Sequence, residues 1–316
     1  GGRAARTEAA AAGGYVSGRC AALERDLLDG AFFRELLDAP DAAAAAALLG
    51  KTTYGELFPH PASLEAYDRV LDGHLRECLD SLGEGCPPDG PVDIVRREAE
   101  LRDVHGLLAE SDVARGSAEE VERWASRLGG GHPWLAGFSV PAERRGLFAS
   151  QPVRAFSLWT DSAFLGELRR IAAARPGLAP FLDARISLAV LGVCWRAFRE
   201  GLGMEWLDGF FFRDALAAPP RRALAGAGKD PAALAKLIAP PGFEPTAEKF
   251  DETFGRQADD FLTAVARGAA YEVSGPGRVL FYVRMLWVEH LNLRLCIAAV
   301  LTPLDRADVR TRLRNG

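Results

Sequence analysis

Residues 64–82 read LEAYDRVLDGHLRECLDSL, and in them Leu64, Tyr67, Leu71, Leu75, Cys78 and Leu82 recur at steps of three and four. An α-helix turns once in about 3.6 residues, so these six side chains form one apolar stripe with charged residues around it. The same spacing recurs on both sides of the stretch. Val16, Cys20, Leu23 and Leu27 stand at i, i+4, i+7 and i+11, and Phe164, Leu168 and Ile171 continue the pattern. So do Phe250, Phe254, Phe261 and Val265, and then Tyr282, Met285, Leu286 and Leu293. Start signals agree with the stripes. Ser117 with Glu120 makes a capping box, Asp230-Pro231 and Thr302-Pro303 each place proline at a first helical position, and Asp41 precedes six alanines. Period-2 runs rich in Val, Ile and Thr are missing, so a sheet has no raw material. The expected fold is all-α.

Composition narrows the classes. A chain of 316 residues with 48% hydrophobic and 26% charged residues is globular and excludes a disordered polymer. A net charge of −5 speaks against a nucleic-acid binder, which usually carries a basic face. The cysteines, Cys20, Cys78, Cys86, Cys194 and Cys296, are odd in number and form no CxxC pair. Reduced core cysteines of a cytosolic protein are therefore expected, rather than a disulfide framework or a zinc site. No uninterrupted apolar run reaches the roughly 18 residues of a membrane span, and the most apolar one, Ile186 to Trp195, is bounded by Arg185 and Arg196. No direct span is expected. Residues 1–14, rich in Ala, Gly and Arg, read as a flexible tail.

Turn-forming stretches at Gly83–Pro91, Gly129–Pro133, Pro219–Gly228 and Pro240–Pro245 divide the rest into three parts, 15–130, 131–239 and 240–316. The parts share a pattern. In the first, Leu101 to Leu108 is followed by a polar turn and then Ser117 to Val121. In the third, Glu289 to Leu295 is followed by a turn and then Leu304 to Val309. A degenerate middle copy runs from Ile186 to Arg199 through Gly201-Leu202-Gly203 to Trp206-Leu207. Each copy reads as a long helix, a Gly- or Pro-marked turn and a short helix, so three helical repeats are expected.

Catalytic patterns are wanting. His60, His74, His105, His132 and His290 form no HExxH and no pair at metal-ligand spacing on one helix. Gly226-Ala227-Gly228-Lys229-Asp230 lacks the first glycine of a phosphate loop and the Ser or Thr after its lysine. Serine and cysteine nucleophiles lack the strand–turn–helix context of their motifs. No catalytic residue, cofactor or metal site is expected.

Two phrases near the ends of the chain carry a family resemblance. Ala22-Leu23-Glu24-Arg25-Asp26-Leu27-Leu28 with Lys51-Thr52-Thr53-Tyr54-Gly55-Glu56-Leu57 resembles the opening of the C-type central-stalk subunits of the archaeal- and vacuolar-type rotary ATP synthases, counterparts of the d-type subunit in the vacuolar ATPase. At the other end Glu289, Asn292, Leu293 and Arg294 match the family's "E-x-x-N-L-R" phrase, and Val309, Arg310, Arg312 and Leu313 match its "V-R-x-R-L" helix. The sequence departs from the family at Gly106, where Asn is common, and at Ala298-Ala299-Val300, where Gly-Lys is common. The resemblance spans about residues 15–316. It implies three related helical bundles about a pseudo-threefold axis in a funnel-like body. It also implies a non-catalytic adaptor of the central rotor, bound to the central shaft subunits and to the proteolipid ring, on the cytoplasmic face of the cell membrane. The alternative is an all-α scaffold or regulatory binding module unrelated to an ATPase.

Glu289, Asn292 and Arg294 are the family-motif positions, and two roles stay open for them. Asn292 and Arg294 either touch a partner subunit or tie adjacent helices, Arg294 through a nearby carboxylate. Arg144-Arg145 and Arg221-Arg222, in Pro-flanked stretches read as loops, are candidate partner contacts. They would dock on the acidic or carbonyl-rich ends of partner helices, or else lie on solvated surface.

Overall fold

A computed structural model describes residues 14–55, 57, 64–110, 116–135, 137–212, 219–246, 249–271 and 276–315. Among them there is no strand, and the fold is all-α. In chain order the helices are α1 (residues 14–23), α2 (Gly30–Asp38), α3 (Ala42–Leu49), α4 (Leu64–Gly83), α5 (Pro91–Glu110) and α6 (Ala118–Leu128). There follow α7 (Arg145–Ser150), α8 (Pro152–Ala174), α9 (Ala179–Arg199) and the single turn α10 (Met204–Trp206), which runs into a π-helical turn at Leu207–Phe211. The last are α11 (Arg221–Ala227), α12 (Pro231–Ile238), α13 (Phe250–Ala270), α14 (Gly277–Leu301) and α15 (Arg306–Arg312). The chain forms two compact units, Gly1–Arg96 with Lys249–Gly316, and Arg97–Glu248. The tail expected at 1–14 falls outside the described residues up to residue 13, as do Glu56, Phe58 and His60.

The first unit is built around α14. Val279, Leu280, Val283, Leu286, Val288, Leu293, Cys296 and Ile297 are all buried, so apolar surface is spread around this helix rather than along one stripe, interrupted by the buried Arg284, Glu289, His290 and Asn292. It packs against α2, α3, α4, α13 and α15, which is why it needs apolar surface on every side. The stripe on α4 supplies Tyr67, Leu71, Leu75 and Leu82, with Leu79 beside them and Cys78 half-buried at the edge. Each such side chain contributes about 1.5–3 kcal/mol by leaving water. The start of α14 comes so near the end of α13 that a Cβ on Gly277 would lie 2.0 Å from the Ala269 carbonyl oxygen. Only glycine fits there.

The second unit centres on α8 and α9, against which α12 and the π-helical turn pack. Phe138 meets Phe156 and Trp159 edge to face, with ring centroids 4.8 and 4.9 Å away. That geometry suits aromatic quadrupoles and adds about 0.5–1.5 kcal/mol per pair beyond the area buried. Pro176–Arg199 is the one helical stretch among the described residues long and apolar enough to cross a membrane, with mean hydropathy 1.5. More than half of its apolar stretch (56%) is buried inside the protein, as befits a core helix.

The caps follow the sequence at three places and depart from it at others. Ser117 and Glu120 form the reciprocal box at α6, Asp41 accepts the Ala44 N–H at α3, and Asp230 accepts the N–H groups of Ala232 and Ala233 at α12. Thr302-Pro303 does not start α15. The Thr302 hydroxyl instead donates to the Ala298 carbonyl and closes α14, while Asp305 caps α15 by accepting the Ala307 N–H. Leu27 lies past α1, because the chain tightens into a 3-10 turn at Glu24–Asp26. The arginine pairs are not in loops. Arg144 ends a 3-10 turn and Arg145 opens α7, while Arg221 and Arg222 open α11. In both cases a proline sets φ just ahead of good helix formers, so the turn composition marks a helix start.

Candidate functional site

Glu289 sits in the middle of α14 with its carboxylate buried. One oxygen accepts the Leu28 N–H and the other accepts the Tyr54 hydroxyl. Leu28 closes the first opening phrase and Tyr54 lies within the second, so three stretches far apart in the chain converge on one carboxylate. Burial pushes the Glu289 carboxyl up to about 7, although the bonds from Tyr54 and Leu28 favour the ionised form. The Tyr54 hydroxyl is driven above its ordinary range by burial and by the adjacent Glu289. Its ring stands edge-on to His74, centroids 4.9 Å apart.

One turn further on, Asn292 is fully buried (0% exposed). Its amide group donates to the Arg314 carbonyl at 3.0 Å and its oxygen accepts the Arg314 N–H at 2.9 Å. A primary amide carries a donor and an acceptor side by side, matching the N–H and C=O of one residue, which accounts for Asn here. The Arg314 side chain reaches Asp259 on α13, and Asp259 also pairs with Arg284 of α14, itself only 2% exposed. Burial would raise the Asp259 carboxyl, and the two guanidiniums outweigh it and hold the group below the usual range. Arg294 completes the motif. Its guanidinium bridges Asp68 and Asp72 of α4, each at 3.0 Å, and His290 Nε2 lies 3.3 Å from Asp72. All three motif side chains therefore bond within the first unit.

The other four candidates belong to the second unit. Arg144 lies along the π-helical turn, its Cδ 3.6 Å from where a Cβ on Gly209 would stand, and Arg221 Nε is 3.3 Å from Asp208 of the same turn. The structure thus brings Arg144 and Arg221 to one feature. Arg145 pairs with Glu119 on α6, and Arg222 is exposed. The Arg221 side chain is 71% exposed, so its pair contributes little to stability.

The described histidines are dispersed. His105 faces Asp161 at 3.4 Å, His132 faces Glu100 at 3.7 Å, and His74 lies 3.6 Å from the Cys78 sulfur. Among the described residues no group of three or more His, Cys, Asp or Glu side chains comes together to hold a metal ion. A cleft of about 230 Å³ in the first unit is lined by Arg19, His74, Glu77, Cys78, Ser81 and Tyr282 together with leucines. Burial pushes the Cys78 thiol up to about 11, which keeps it protonated and a poor nucleophile.

No protein-family model matches the chain, and no curated protein is significantly similar to it. The residues missed from sequence are the receivers of the motif. Asp68 and Asp72 lie four apart on α4, one turn of the same face, and that spacing was the available signal for Arg294. For the Arg314 backbone there was none.

Proposed function

We propose that the protein is a non-catalytic adaptor in the central rotor of an archaeal/vacuolar-type ATPase or ATP synthase. In that role it links the shaft subunits to the proteolipid ring, peripherally on the cytoplasmic face of the cell membrane, and passes torque for ATP-coupled proton or sodium transport. The observation that carries the proposal is the convergence on Glu289. Phrases that carry the family resemblance come from opposite ends of the chain, yet they bond one another through Leu28 and Tyr54. The second closing phrase is fastened likewise, because Arg310 pairs with Asp38 of α2 and Asn292 holds Arg314, the residue just after the phrase. A motif whose members bond each other favours a shared fold over chance similarity. Torque also needs a path that resists shear, and a chain whose residues 28, 54 and 314 are fastened to one central helix meets that need. The same reading entails three related bundles, 15–130, 131–239 and 240–316, about a pseudo-threefold axis with a funnel-like hollow.

The test is purification of the tagged chain from membranes of its own host. Catalytic ATPase subunits and a proteolipid in stoichiometric amounts support the adaptor. A chain that purifies without them, beside an ATPase complete without it, would make it a scaffold of another system. A small-angle scattering envelope of the isolated chain with no central hollow would remove the funnel.

A further inference from the structure

The buried carboxyl of Glu289 has two bonded partners, Leu28 N–H and the Tyr54 hydroxyl, and neither is a cation. The side chains nearest this spot carry no charge, and the charged groups one step further out, Glu77 of α4 beside His74 and Cys78 and Asp26 near Tyr282, are carboxylates that offer it no counter-charge. From α4 come His74, whose imidazole burial holds below its ordinary range, and Cys78, whose thiol stays protonated. From α14 itself comes Tyr282, raised chiefly by burial, and behind it lies Cys20 of α1, a thiol pushed up to about 12 chiefly by burial. The charged groups nearby are spoken for elsewhere. His290 turns to Asp72, Arg278 pairs with Glu24, and Arg19 donates to Ser81 at the rim of the cleft. An ionised Glu289 is thus a lone negative charge in the core, whereas its protonated form is compatible with both neighbours. Cys78 and Tyr282, which interact electrostatically with Glu289, also line the cleft, so the cleft lies one side chain away from the carboxyl.

We propose that Glu289 is a proton-operated latch: protonated, it fastens residues 27–29 and 50–55 to α14, and on losing its proton it loosens them. The inference is independent of the rotor proposal, since it concerns the fastening of this chain to itself. The sign follows from linkage. The latched carboxyl titrates near 7, against 4.5 when free, so the fastened state binds the extra proton. Its added stability is complete below the free value, fades between the two values, and is gone above the latched one. Protonation of the buried His74 gives the opposite sign, weakening the fold as pH falls, so the two groups are distinguishable.

The experiment is hydrogen–deuterium exchange on the full chain from about pH 5 to 8, corrected for intrinsic exchange, in wild type and Glu289→Gln. For peptides covering 27–29 and 50–55, wild-type protection is expected to fall by up to about tenfold per pH unit between about 5 and 7, then level off. In Glu289→Gln, a neutral isostere of the protonated form, it is expected to stay flat. Flat wild-type protection, or the same slope in the variant, would overturn the latch. Should Glu289→Gln not fold, Tyr54→Phe supplies the second arm. It removes a bond that favours ionisation and must move the transition to higher pH; an unmoved transition overturns the proposal.

Discussion

Replacing Asn292 by Ala removes the side chain that serves both polar groups of the Arg314 peptide unit. Two net hydrogen bonds are lost, each of about 0.5–1.5 kcal/mol. Were residue 314 to stay in place, its N–H and C=O would be left without partners at a site where Asn292 is fully buried, at about 1–3 kcal/mol each. Residues 313–315 can instead peel away and find water. It then forfeits the Arg314–Asp259 pair and both bonds from Asn315 to Asp260. The first route costs about 2–6 kcal/mol and the second about 1–3 kcal/mol plus those further bonds, so the expected loss is about 2–4 kcal/mol, well above the half-kcal/mol scatter of ordinary surface changes. Urea unfolding at constant pH measures it, and exchange of the 306–315 amides tells which route the protein takes. A loss under about 0.5 kcal/mol, with those amides as protected as in wild type, would refute a structural role for Asn292. The buried, doubly bonded amide would then need a partner subunit to explain it.

Four further outcomes follow from the same geometry. Leu293→Pro breaks the α14 ladder at a fully buried position, costing about 3 kcal/mol or more for the backbone alone, and should abolish assembly; Arg221→Ala should leave stability within about 0.5 kcal/mol by urea unfolding and leave assembly intact on native gels. Gly277→Ala drives a methyl against the Ala269 carbonyl and should lower stability by about 1–3 kcal/mol in the same urea assay. The Asp259 carboxyl is held below its free value of 3.8, so its contribution is present above that value and is lost as pH falls through the lowered one; acid titration followed by circular dichroism should show a shallower loss below about pH 4 in Asp259→Asn, already weakened by about 3–5 kcal/mol at pH 7 because Arg284 loses its counter-charge.

Helices were readable because burial leaves a periodic trace. The caps at Asp41, Ser117 and Asp230 are local signals complete within about four residues, and the stripe on α4 is built of steps of three and four. Short helices beginning at prolines were not readable as such. Pro219-Pro220 ahead of Arg221 has the composition of a loop, and only packing of Leu224 into the second unit shows the helix that follows. Long-range pairing leaves no periodic trace at all. Tyr54 and Leu28 reach Glu289 across 235 and 261 positions, and nothing local to either phrase announces the other. The resemblance set the phrases side by side as family traits; the bonds between them became visible only in the fold. Arg294 was half legible, since a carboxylate partner was expected and two were found four residues apart on α4.

The adaptor role is tested most directly by coupling. The rotary complex purified with and without this chain is reconstituted into vesicles, and ATP hydrolysis and ion pumping are measured together. An adaptor on the torque path predicts that removing it detaches the head from the membrane sector, or lets hydrolysis continue without pumping, and that adding the chain back restores both. Pumping that stays fully coupled to hydrolysis in its absence would contradict the role.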